Sequence, residues 1–143
     1  MKVTFLEKGK MNGKQLSIAI ANRIAETVNG NEKVVLLVPD DRAADTWDKF
    51  LWTFSQSSFL PHSIFDGSWN DAEPMVIATQ FIPSFQGAVL FCLNDTPVER
   101  LTEVQNIVEV VHSDDDEKVA EARKRWLNWK ELGAEIHYRQ EWA

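Results

Sequence analysis

The stretch Gly9-Lys10-Met11-Asn12-Gly13-Lys14-Gln15 sits between a short apolar run and a segment of helical periodicity, the place a phosphate-binding loop would occupy. Such a loop, G-x-x-x-x-G-K-[ST], wraps phosphates in backbone N–H groups, sends its lysine to the terminal phosphates and holds Mg²⁺ through the final hydroxyl. Here Gly9 and Gly13 enclose three residues instead of four, and Gln15 stands where the hydroxyl belongs. The stretch therefore reads as a loop rich in Gly and Lys that leads into a helix. A nucleotide-binding or hydrolysing enzyme using Gly9 to Lys14 is the alternative function.

Other candidate chemistry is sparse. His62, His112 and His137 are far apart, with no H-x-x-x-H spacing that would put two ligands on one helical face. Asp114, Asp115 and Asp116 are consecutive, whereas a calcium loop alternates its ligands around a Gly, so they read as a solvated helix start. The serines of FSQSSF (54–59) lack the G-x-S-x-G elbow. Cys92, the one cysteine, lies in AVLFCL and reads as a buried inert thiol. No catalytic constellation, metal site or cofactor is read.

Aromatic residues are the prominent feature, with six tryptophans in 143 residues. In KFLWTFSQSSFLPH, Phe50 and Leu51 supply a core face. Trp52 then points elsewhere and, with Phe54, Phe59 and Pro61, has the makings of an interface anchor. In EARKRWLNWKELG (121–133), Arg123, Trp126, Leu127 and Lys130 share one helical face, and Ala122, Trp129 and Gly133 the adjoining one. The second set suits a core stripe. The first set has two readings: an apolar patch rimmed by cations for an acidic peptide ending in a bulky side chain and carboxylate, or basic residues favouring the helix dipole.

These groups must be positioned by a chain with 44% hydrophobic and 26% charged residues, which reads as one globular domain over 1–143. A net charge of −7 opposes the phosphate neutralisation that nucleic-acid binding uses, so no direct nucleic-acid binding is expected. No apolar run suggests a signal peptide or approaches the roughly 18 residues of a membrane span, so a cytoplasmic protein without membrane contact is expected.

Strand-length runs recur as VTFL (3–6), KVVLLV (33–38), MVIA (75–78), AVLFCL (88–93), IVEVV (107–111) and EIHY (135–138). Several are continuously hydrophobic, as in a sheet covered on both faces. Helical patterns fall over Gln15 to Val28, from Asp40 or Asp41 through Leu51, and from SDDDE (113–117) to Leu132. Gly67 to Pro74 reads as an exposed loop. The alternation predicts an α/β fold: three layers with a mainly parallel sheet flanked by helices.

With these elements in place, the chain resembles the chi subunit family of bacterial DNA polymerase III over nearly its whole length. The resemblance rests on LLVPDDRAADTWDKFLW (36–52), SSFLPH (57–62), AVLFCLND (88–95) and ARKRWLNWKELG (122–133). It implies a clamp-loader accessory protein without enzymatic activity, whose fold is similar to mononucleotide-binding folds but lacks a functional P-loop. It also implies two partners. One is the psi subunit, met through positions matching Trp52 and Phe59. The other is the acidic, Pro-Phe-ending tail of single-stranded DNA-binding protein, held by positions matching Arg123, Trp126 and Lys130. Val119 and Leu127 stand where the family pocket can carry lysines, which predicts weaker attraction and lower salt sensitivity unless Lys124, Arg125 or Arg139 compensates. Self-association through the exposed aromatics ranks third.

Overall fold

A computed structural model describes residues 1–55 and 59–142. Gln56, Ser57 and Ser58, which fall in FSQSSF, KFLWTFSQSSFLPH and SSFLPH, lie outside the described residues. The elements are β1 (Lys2–Glu7), α1 (Gly13–Asn29), β2 (Val34–Leu37), α2 (Asp41–Thr53), β3 (His62–Ile64), β4 (Met75–Ala78), β5 (Val89–Cys92), β6 (Asn106–Val111), α3 (Asp116–Glu131) and β7 (Glu135–Arg139). Single turns of 3-10 helix, Pro83–Phe85 and Val98–Arg100, precede β5 and β6.

All seven strands are parallel, in the order β3-β4-β2-β5-β6-β1-β7. Every strand run read from the sequence forms a strand, and the "mainly parallel" sheet is wholly so. β3 was not expected: three residues behind Pro61 offer no periodic run, and β3 forms only because β4 presents an edge to pair with.

Alternation along the strands sorts their side chains onto two covered faces. Val3, Phe5, Leu37, Leu90 and Ile107 pack with Val98, Leu101 and Trp129, so α3 and the second 3-10 turn cover one face. Leu6, Leu36, Phe91 and Val108 pack with Leu16, Ile20, Ile24, Ala44 and Leu51, so α1 and α2 cover the other. Burying each such Leu or Ile contributes on the order of 1.5–3 kcal/mol. Continuously apolar strands follow from this double cover.

Local signals start the helices. Asn12 caps α1, its side chain accepting from Gln15 N–H at 2.8 Å while Asn12 N–H donates to the Gln15 side chain at 2.9 Å. Asp40 caps α2 through Ala43 N–H, and Asp115 caps α3 through Glu117 and Lys118 N–H. Gly133, with φ of +77°, takes the left-handed position just past α3.

Candidate functional site: an apolar groove beside α3

Parallel α/β sheets bind ligands beyond the carboxyl ends of the strands, where neighbouring connections leave toward opposite faces. Here β1 and β2 lead to α1 and α2 on one face, and β5 and β6 to the 3-10 turn and α3 on the other, so the β6/β1 and β2/β5 boundaries are such points. Both are filled by the chain itself. At β6/β1, Lys8 Nζ meets Asp114 at 2.8 Å and Gly9 N–H donates to Ser113 Oγ at 3.1 Å. Lys8 also holds the exposed Asp114 carboxyl below its ordinary pKa. At β2/β5, Asn94 Nδ2 donates to the Thr79 and Val38 carbonyls at 3.2 and 3.4 Å, while its Oδ1 accepts from Thr96 Oγ at 2.6 Å.

The loop that resembled a phosphate site is likewise committed. Gln15, standing in the hydroxyl position, completes the Asn12 capping box, and Gly9 N–H is held by Ser113. Between the two sealed boundaries lies a polar hollow of about 400 Å³ lined by five carboxylates (Asp95, Glu109, Asp115, Glu117, Glu121) and two cations (Lys118, Arg125). Its His112 has a lowered pKa, through burial first and then Lys118, which favours the neutral ring. That balance of charge opposes phosphate.

Below α3 lies a buried polar cluster that the sequence did not reveal. Glu109 accepts from Trp129 Nε1 at 2.6 Å and from Arg125 Nε, and Arg125 also donates to the Thr96 carbonyl at 2.6 Å. Burial works against the Arg125 charge, but the Glu109 carboxylate outweighs it and the guanidinium pKa rises. Burial, then the Glu109 charge, pushes the Cys92 thiol up to about 12, so the inert reading of Cys92 holds. His62 is buried, and its ring nitrogens lie 2.7 Å from the Leu60 carbonyl and 3.0 Å from that of Asp48. Among the described residues no group of three or more His, Cys, Asp or Glu could hold a metal ion.

Trp129 is the one fully buried residue of α3, and Trp126, three residues earlier, is 40% exposed, which matches the two-face reading for the two tryptophans, although Ala122, read with the core face, lines the groove and Leu127, read with the patch, does not. Trp126 and Arg123 line a groove of about 450 Å³ with Val119 and Ala122 of α3, Phe5 and Val111 as floor, and Tyr138 of β7. Lys130 does not line it; its Nζ sits 5.4 Å above the Trp126 ring. The Arg123 side chain has no hydrogen bond or ion pair among the described residues.

Neighbouring cations face elsewhere. Arg125 turns inward to Glu109. Lys124 is 200° around the helix from Trp126 at 100° per residue. Arg139 pairs in register with Leu6, and so shares the α1 face of the sheet. Arg125 and Arg139 therefore do not stand in for the lysines replaced by Val119 and Leu127. A larger hollow of about 980 Å³, lined by Lys33, Phe65 and Trp69 among others, opens at the amino ends of the strands. The groove is preferred on chemistry, since size alone places no ligand.

At the far edge of the sheet, Trp52 (48% exposed) and Phe59 (84% exposed) lie with ring centroids 6.5 Å apart. Trp52 stacks on His62 at 4.2 Å, which fixes its ring on the surface. Phe54 instead packs against Phe50, partly buried.

The family model for the DNA polymerase III chi subunit, HolC, matches residues 1–137. The chain belongs to that family. No individual curated protein matches it. Membership of the chi subunit family places the chain among the subunits of the DNA polymerase III replication machinery. No helix among the described residues of this chi-family chain is long and apolar enough to cross a membrane.

Proposed function

We propose that this chain is a non-catalytic cytoplasmic accessory subunit, folded as one domain over 1–143. It joins the clamp loader, through the psi subunit, to the acidic C-terminal tail of single-stranded DNA-binding protein. The observation that carries the reading is the groove: an apolar hollow with an uncommitted arginine, Arg123, beside a partly exposed indole, Trp126. A peptide's terminal carboxylate pairs with Arg123, its terminal aromatic side chain enters beside Trp126, and its aspartates meet Lys130 at the rim. A chain of net charge −7 can do this because the attraction is local.

The psi surface is Trp52 with Phe59. It lies at the β3 edge, whereas the groove lies over β6, β1 and β7, four to six strand spacings away or roughly 19–29 Å at about 4.8 Å per strand. Two partners so separated can bind together, as a bridge requires. The sealed strand-end boundaries and the capping-box role of Gln15 favour an accessory role over nucleotide chemistry.

The test is titration of a labelled peptide ending in Asp-Asp-Ile-Pro-Phe. Micromolar binding, about −8 kcal/mol, is expected. Equal binding by Arg123→Ala would sink the tail-docking mechanism.

A further inference from the structure

Tyr138 is the largest residue of the groove that no reading of α3 alone supplies. It is 55% exposed, stands on β7 in register with the groove-floor residue Phe5, and faces the helix wall that carries Trp126. A free tyrosine on an edge strand would swing through several rotamers, but this one is tethered: its hydroxyl donates to the Glu7 carboxylate. Glu7 is itself held from behind, since its backbone carbonyl accepts from Trp142 Nε1 at 2.7 Å, and the Trp142 carbonyl accepts from Arg23 of α1 at 3.2 Å. The ring is therefore pre-positioned across the groove from an indole.

Two aromatic walls over an apolar floor suit a flat side chain, because stacked and edge-on ring pairs contribute beyond the area they bury. The charges also have a direction. The helix wall carries the cation Arg123, and the strand wall is backed by the carboxylate of Glu7. A terminal carboxylate is drawn to α3 and repelled from β7, which leaves the neighbouring side chain to meet Tyr138.

We infer that Tyr138 is a binding residue of the groove that selects an aromatic terminal side chain, with Glu7 as its positioning residue. The inference rests on the tail-docking reading and deepens it. In this chain, β7 supplies the selectivity that the rim cations, thinned by Val119 and Leu127, do not.

The test compares two peptides, one ending in Pro-Phe and one in Pro-Ala, on the full chain and its variants. The intact protein should prefer Phe by on the order of tenfold. Tyr138→Thr, which keeps a strand-favouring residue, should reduce that preference several-fold while leaving the thermal midpoint near that of the intact chain. Tyr138→Phe keeps the ring but loses the hydroxyl that Glu7 holds, and should keep only part of the preference. A folded Tyr138→Thr protein that prefers Phe as strongly as the intact chain overturns the inference alone, provided Arg123→Ala weakens both peptides. If Arg123→Ala binds both peptides as the intact chain does, the docking reading fails and the inference falls with it. A Tyr138→Phe protein with the full preference of the intact chain would overturn Glu7 as the positioning residue, and one that prefers Phe less than Tyr138→Thr does would overturn the aromatic wall.

Discussion

Trp129 donates its indole hydrogen to Glu109 at 2.6 Å, and this buried contact sets the rotation of α3 against the sheet. Trp129 is the sole fully buried residue of that helix. The face bearing Arg123 and Trp126 is therefore aimed largely by one side chain and its partner. Glu109→Ala would leave the Trp129 N–H without an acceptor and the Arg125 guanidinium without its carboxylate, holding only the Thr96 carbonyl. Breaking a buried pair in this way costs about 3–5 kcal/mol. Denaturant unfolding should show that loss, and tail-peptide affinity should fall in the protein that remains folded.

The loop before α1 is a cap. Asn12→Ala removes the acceptor of Gln15 N–H and should destabilise the chain by about 1 kcal/mol, read from urea unfolding. ATP with Mg²⁺ should not raise the thermal midpoint of the intact protein or of Lys14→Ala. An ATP-dependent rise that Lys14→Ala removes would restore the nucleotide reading.

Trp52 lies on the surface over His62, so Trp52→Ala should cost little stability, on the order of 1 kcal/mol. Copurification with the psi subunit should be lost, while the tail peptide binds as before. Parallel loss of both partners would contradict two separate sites.

The chain has a single tyrosine, so phenolate absorbance reports Tyr138 alone. Its pKa is raised from 10.0, first by the hydrogen bond to Glu7 and then by burial and the Glu7 charge. A raised folded value means the contact's stabilisation is complete below the unfolded value and is lost as pH rises through the folded one. A titration midpoint above 10 is expected. In Glu7→Gln, which keeps an acceptor without the charge, the midpoint should move down. An identical midpoint in both proteins would remove Glu7 as the tether.

Cys92 is buried with a pKa of about 12, so almost no thiolate exists near neutral pH. A thiol-reactive disulfide reagent should label it only at the rate of unfolding, and much faster in Glu109→Ala. Rapid labelling of the native chain would show that the β5 end is open to solvent.

What the sequence alone determined are six of the seven strands and the three helices, because these rest on local physics. Continuous apolar runs such as KVVLLV mark strands covered on both faces, a 3.6-residue period marks the α1 stripe, and Asp40 and the acidic SDDDE stretch mark the starts of α2 and α3. The split of α3 into a Trp129 face and a Trp126 face was legible for the same reason. Tertiary structure decided which of those faces meets what. Lys8 reaches Asp114 across 106 residues, Tyr138 reaches Glu7 across 131, and Asn94, just past β5, seals the β2/β5 boundary by reaching the carbonyls that follow β2 and β4. Each of these contacts depends on the order and register in which seven parallel strands assemble. No periodicity within one segment encodes that pairing, so the strand wall of the groove emerges only when β7 pairs with β1 and brings Tyr138 beside Phe5.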